Sequence, residues 1–187
     1  MNTPSLDDFN QLLACDGDWL VEADSLAGEP DERVLAGYAD RNVSALTFMD
    51  VFESRRAEPA DEEDPLAVEI ARMDAKLNAL IQIVNRMLVP DATTRTRMAL
   101  RFNALGALVP SVVLPGSDYV VLRIRMDACP SLPLELPARV AQRFADGNDF
   151  VGFLGVTEGL REGLERMVFR HHRRRVAVAR QGQASQA

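Results

Sequence analysis

Residues able to do chemistry are sparse in this chain and scattered. The only two histidines, His171 and His172, are adjacent. Neighbours on a helix point about 100° apart, so the pair cannot easily share one metal ion. No cysteine or acidic cluster accompanies them, and solvated surface is their expected place. Cys15 and Cys129 lie far apart without ligand-like spacing. That argues against a zinc site or a disulfide scaffold and for a reducing, cytoplasmic setting. Neither a GxxxxGK phosphate loop nor a GxGxxG fingerprint occurs. Gly152-Phe-Leu-Gly155 sits in an apolar stretch with no phosphate-binding architecture after it. No serine occupies a nucleophile elbow. Carboxylates are plentiful but crowd the front of the chain, where solvated surface is the default. The expectation is a protein that is not an enzyme and holds no cofactor and no metal.

One charged block stands out, Arg170-His-His-Arg-Arg-Arg175. It reads as a solvated helix end favoured by the negative pole of the helix dipole. It also reads as a contact for an acidic partner, or for the acidic front of a neighbouring subunit. Nucleic acid is disfavoured, because the isoelectric point is near 4.9 and aromatics do not interleave with the arginines. The charge is strongly split. Residues 1–65 carry 17 acidic and 4 basic side chains; residues 66–187 carry 11 acidic and 17 basic. The front should repel nucleic acid and anionic membrane, while the back could attract an anion.

The elements that would position these residues fit a chain of 187 residues, one domain or one domain with an elaboration. No window of about 18 apolar residues suits a membrane span, and the N-terminus lacks the basic start and apolar core of a secretory signal. Residues 1–42 form an acidic segment in which Trp19-Leu20-Val21 supplies one strand, a candidate first strand of a barrel, and Gly28-Glu29-Pro30-Asp31 a turn. A helix is expected from Asn42 to about Arg56, on the spacing of Val43, Leu46, Phe48, Met49 and Phe52. Glu58–Pro65 is an acidic linker into the next helix, with Pro65 in its first turn. Helical material thus occupies 43–92. Strands are expected at Arg97–Val109, Tyr119–Met126, part of Leu132–Phe144, and Phe150–Val156. A final helix starts near Glu158 and runs to Ala177 or beyond, and residues 181–187 form a disordered tail.

The clearest pattern lies at 66–89. Leu66, Ile70, Met73, Leu77, Leu80, Val84 and Met87 recur at alternating steps of four and three. Ile70, Leu77 and Val84 take the a positions of a heptad, and the others take d. The flanking positions begin polar or small, with Glu69, Lys76, Ala67 and Asp74. They turn apolar at Ile81, Ile83 and Leu88, which widens the stripe. The widened stripe points to a homo-oligomer assembled through residues 66–89, four strands rather than two. The competing reading is an amphipathic helix packed on its own domain.

From Met98 onward the layout resembles the PilZ domain, a small six-stranded barrel that in many bacterial proteins binds cyclic di-GMP. MALRFNALGALV resembles the strand bearing the family's (D/N)xSxxG motif. YVVLRIRM and LPLELPARVAQ look like the next hairpin, and DFVGFLGV with LREGLERMVF like the closing strand and C-terminal helix. The resemblance implies an α+β fold, an antiparallel six-stranded barrel at 93–180 with a coiled-coil helical insertion and a C-terminal helix. Gly106 matches the motif glycine, but Asn103 stands at the serine and Arg101 at the acid or amide. The family's upstream RxxxR pair has no counterpart among Arg33, Arg41, Arg55 and Arg56. Arg97 with Arg101, and Arg166 with Arg170, have that spacing in the wrong places. Bidentate arginines suit phosphates and guanine edges, so their loss removes most of the binding energy. The resemblance therefore implies an atypical member in which cyclic di-GMP binding is weak or absent and no ligand-binding residue is expected. Such a member would act through an unidentified bacterial signalling protein in type IV pilus and motility pathways. The alternative is a true receptor using arginines from elsewhere, Arg170–Arg175 foremost.

Overall fold

The computed structural model describes residues 3–55, 65–89 and 96–184. Six strands close into an antiparallel barrel: β1 (Cys15–Ser25), β2 (Met98–Phe102), β3 (Gly106–Pro110), β4 (Tyr119–Arg125), β5 (Leu134–Arg143) and β6 (Asn148–Phe153). Their order around the barrel is β1-β2-β3-β6-β5-β4. β1 makes the closure. Its first part pairs with β2, from Cys15↔Phe102 to Trp19↔Met98, and its second with β4, from Leu20↔Arg125 to Ser25↔Val120. Gly17 leaves room for the folded-back Trp19 ring, which would lie 2.8 Å from a Cβ there.

The first strand is much longer than the expected Trp19–Val21. Asp16, Asp18, Glu22 and Asp24 alternate with Cys15, Gly17, Trp19, Val21 and Ala23, so the acids line the outer face while Cys15 and Trp19 are buried. The stretch expected as one strand over Arg97–Val109 is a hairpin, broken at Asn103–Leu105. The strand expected at Phe150–Val156 begins and ends earlier, at Asn148 and Phe153; Gly155 then turns the chain at φ +65°.

Four α-helices occur among the described residues: α1 (Leu6–Gln11), α2 (Glu32–Arg55), α3 (Pro65–Leu88) and α4 (Glu158–Ala184). α1 was not foreseen. It is opened by a capping box in which Ser5 and Asp8 each bond the other's backbone N–H. α2 starts well before the expected Asn42, because Asp31 Oδ1 accepts from Val34 N at 2.8 Å and caps it. The expected boundary at 42/43 therefore falls inside this helix. α4 continues to Ala184, so 181–184 are helical and not a frayed tail. The expected helix end at Arg56, the acidic linker over 58–64, Pro90 and Asp91–Thr94 lie outside the described residues, as do 185–187.

The barrel core holds Phe102, Val109, Val120, Leu122, Ile124, Leu134, Leu136, Val151 and Phe153. α2 and α4 extend it with Leu46 and Met49 against Leu160, Leu164 and Val168. A Cβ at Gly163 would come within 2.9 Å of Leu46, so glycine permits that close helix crossing. Asn42, buried in α2, clamps the helix to β5. Its Nδ2 donates to Glu135 O at 2.7 Å, and its Oδ1 accepts from Glu135 N at 2.8 Å.

Candidate functional site

Arg101, Asn103 and Gly106 meet at the β2–β3 hairpin, each occupied by the fold. Asn103 is buried. Its Nδ2 donates to Phe9 O at 2.9 Å, its Oδ1 accepts from Leu105 N at 2.8 Å, and its backbone N–H donates to Gly106 O at 3.0 Å. The amide is thus spent on holding the turn and docking α1. A Cβ on Gly106 would lie 2.3 Å from Val151 O, so only glycine lets β3 approach β6 this closely. Arg101 reaches Asp16 at 3.7 Å and lies 5.6 Å from the centre of the Phe9 ring. Phe9 itself is buried against Phe150, with ring centres 5.3 Å apart. α1 therefore covers one flank of this hairpin. Arg97, the other half of the RxxxR spacing, pairs with Asp127 at 2.6 Å.

The basic block stays exposed from His172 to Arg175, with Arg170 and His171 half-buried, and three of its arginines meet acids of the same chain. Arg170 pairs with Asp50 and lies 3.7 Å from Glu53, and Arg174 pairs with Glu53 at 3.0 Å. Burial, followed by the Arg174 charge, pulls the Arg170 pKa below its ordinary value. Arg175 donates to Asp16 O at 3.1 Å and approaches its carboxylate at 3.5 Å. His171, expected on solvated surface, is half-buried, with Nε2 3.1 Å from Asp16 O and its ring 5.6 Å from that of Trp19. The acidic front of the chain meets the basic back within one subunit. Arg166, the remaining RxxxR candidate, pairs with Glu162 along α4.

α3 presents the opposite situation. It is anchored at its C-terminal end, where Asn85 Oδ1 accepts from Ser131 N at 3.1 Å and Val89 is buried. Along the helix, Leu66, Ile70, Met73, Leu77, Leu80, Val84, Met87 and Leu88 are exposed, Leu80 at 57% and Met87 at 75%. Ile81 is half-buried. At about 1.5 Å per residue the exposed stripe runs some 35 Å. Monomeric proteins rarely leave so long a contiguous apolar surface in water.

A family model described as an atypical PilZ domain, cyclic di-GMP receptor, matches residues 45–181. The chain belongs to the atypical PilZ family. It is also similar to a solved structure, a pathogenic protein from Xanthomonas campestris described as a new tetrameric PilZ domain self-assembled via an unusual helical bundle. Identity is 27%, the match covers 90% of this chain and 93% of that one, and the TM-score is 0.68. A search of the curated proteins gave no match. The PilZ family is one of receptors, not of enzymes. Among the described residues no helix is long and apolar enough to cross a membrane.

Against the PilZ motif, the structure explains what the departures do. Asn103, standing at the motif serine, uses both ends of its amide, one on Phe9 and the other on Leu105. Arg101 in place of an acid or amide answers Asp16 across the β1–β2 pair. Sequence reasoning missed α1 and Phe9. The capping signal Ser5-x-x-Asp8 was there to be read, but a six-residue helix carries too little periodicity to stand out.

Proposed function

We propose that this PilZ protein is a non-catalytic signalling adaptor. It self-assembles through α3, as a tetramer, and acts through protein partners in cyclic di-GMP-linked motility or pilus pathways. It binds the nucleotide little or not at all. The observation that carries this reading is the heptad stripe of α3, exposed from Ile70 to Leu88 in the single chain. A heptad seam of this regularity is the pattern by which helices of separate chains pack together, and copies of this chain supply matching seams. The tetrameric relative, described as assembled through a helical bundle, supports the same reading. Weak nucleotide binding is supported by the motif positions, whose polar groups are committed to Phe9, Leu105 and Asp16. The receptor alternative loses ground because Arg170, Arg174 and Arg175 are engaged with acids of their own chain.

Light scattering on the full chain, joined to titration calorimetry with cyclic di-GMP, tests both halves. A mass near four times 20.7 kDa and no saturable heat at micromolar nucleotide are expected. A concentration-independent monomer refutes the assembly. A saturable isotherm abolished by Arg173→Ala and Arg174→Ala restores the receptor.

A further inference from the structure

Beside the β2–β3 hairpin lies a groove of about 700 Å³, and a strand edge opens into it. β2 pairs with β3 only at Arg101↔Leu108 and Phe102↔Ala107. Extending that register sets Ala99 opposite Pro110, which has no N–H to donate and ends β3. From Met98 to Leu100, β2 thus has a strand partner among the described residues on the β1 side alone. An edge of this kind offers backbone donors and acceptors to an added strand.

The charges at the groove favour one kind of occupant. Both of its arginines, Arg101 and Arg175, are drawn to Asp16 at 3.7 and 3.5 Å. Asp18 and Asp146 also line it, exposed and without an ion pair among the described residues. Arg97 donates to the backbone oxygen of Asp18 and pairs with Asp127, which holds its charge more strongly than the Asp18 carboxylate does. The surplus is negative, which repels a phosphodiester and attracts a cation. Between the carboxylates, half-buried Leu6, Leu108 and Phe144 form an apolar wall.

We propose that this groove takes an extended segment of a partner protein, added as a strand to the Met98–Leu100 edge of β2. The segment carries an arginine or lysine for Asp18 and Asp146 and an aliphatic side chain for the apolar wall. Because residues two apart share a strand face, the basic and aliphatic residues alternate with positions that face away. This inference rests on the adaptor reading and gives it a partner chemistry.

The test is selection of short random peptides displayed on phage against the full chain. Fluorescence anisotropy with the best enriched peptide as probe then measures affinity. Enriched sequences are expected to pair a basic with a nearby aliphatic residue. Asp18→Lys and Asp146→Lys should each weaken binding about tenfold or more, with mass and melting temperature unchanged. Arg101→Ala, which releases Asp16, should tighten it. No enrichment, acidic or charge-indifferent peptides, affinity unmoved by both reversals, or displacement of the probe by cyclic di-GMP would each overturn the proposal. Light scattering on the same samples separates the two readings. A monomer that still binds peptide refutes assembly through α3 and leaves the groove standing. A tetramer that binds no peptide refutes the groove alone.

Discussion

Replacing Leu80 by aspartate separates a helix that packs between subunits from one that packs within a subunit. In the single chain Leu80 is 57% exposed. A substitution at such a position shifts the stability of the isolated fold by only about 0.5 kcal/mol. In a four-stranded seam the same side chain is dry. Full burial of a leucine is worth about 1.5–3 kcal/mol, of which roughly 1 kcal/mol is still available at this exposure. An unpaired carboxylate in that place costs roughly 3 kcal/mol more. Four symmetric copies amount to about 16 kcal/mol against assembly, or some eleven decades in the association constant. Light scattering should therefore fall from about four times 20.7 kDa to 20.7 kDa. The helical circular dichroism should fall with it, because most of the stability of a helix in a protein comes from packing of its apolar face, which α3 would lose. Leu77→Asp should behave alike, and Gln82→Asp, on the outer face of the heptad, should keep the full mass. A Leu80→Asp protein with the wild-type mass would refute the reasoning and place the stripe inside one subunit.

Asn42→Ala removes both bonds to the Glu135 backbone and leaves those half-buried groups without this partner; urea unfolding should show a loss of about 2–4 kcal/mol, with assembly intact. Cys15 is buried, and burial, followed by the Asp16 charge, pushes its thiol from 9.0 up to about 12. It should resist iodoacetamide at pH 8 in the native protein and react once unfolded. The sign for stability follows from the raised value. The folded thiol keeps its proton where the unfolded one loses it, so the contribution is complete below pH 9 and declines as pH rises from 9 towards 12. Cys15→Ala should flatten that alkaline decline in chemical unfolding, and an unchanged slope would sink the assignment. Gly106→Ala sets a methyl group 2.3 Å from Val151 O. A melting temperature equal to wild type would show that β3 and β6 can separate there without cost.

What local periodicity encodes was legible before any coordinates. The heptad of α3 declared itself because every seam residue repeats within a helical turn or two. The alternation of Tyr119–Met126, with Arg123 and Arg125 facing away from Leu122 and Ile124, likewise followed from the two-residue period of a strand. The motif departures at Arg101 and Asn103 were visible as residue types. Their employment was not, since Asn103 bonds a residue 94 positions away and Arg101 answers an acid on another strand. The start of α2 hung on one capping aspartate. The full length of β1 was hidden because its outward acids imitate a polar loop. The basic block was read correctly as largely exposed from His172 to Arg175, but its partners were not foreseen. Solvation was the natural reading of Arg170–Arg175, yet the crossing of α2 and α4 sets Asp50 and Glu53 against Arg170 and Arg174, and β1 carries Asp16 to Arg175. Sequence by itself determined the periods and the chemistry available. Tertiary structure alone decided which charges meet, because ion pairs and buried amides join residues far apart in the chain and leave no trace in its local pattern.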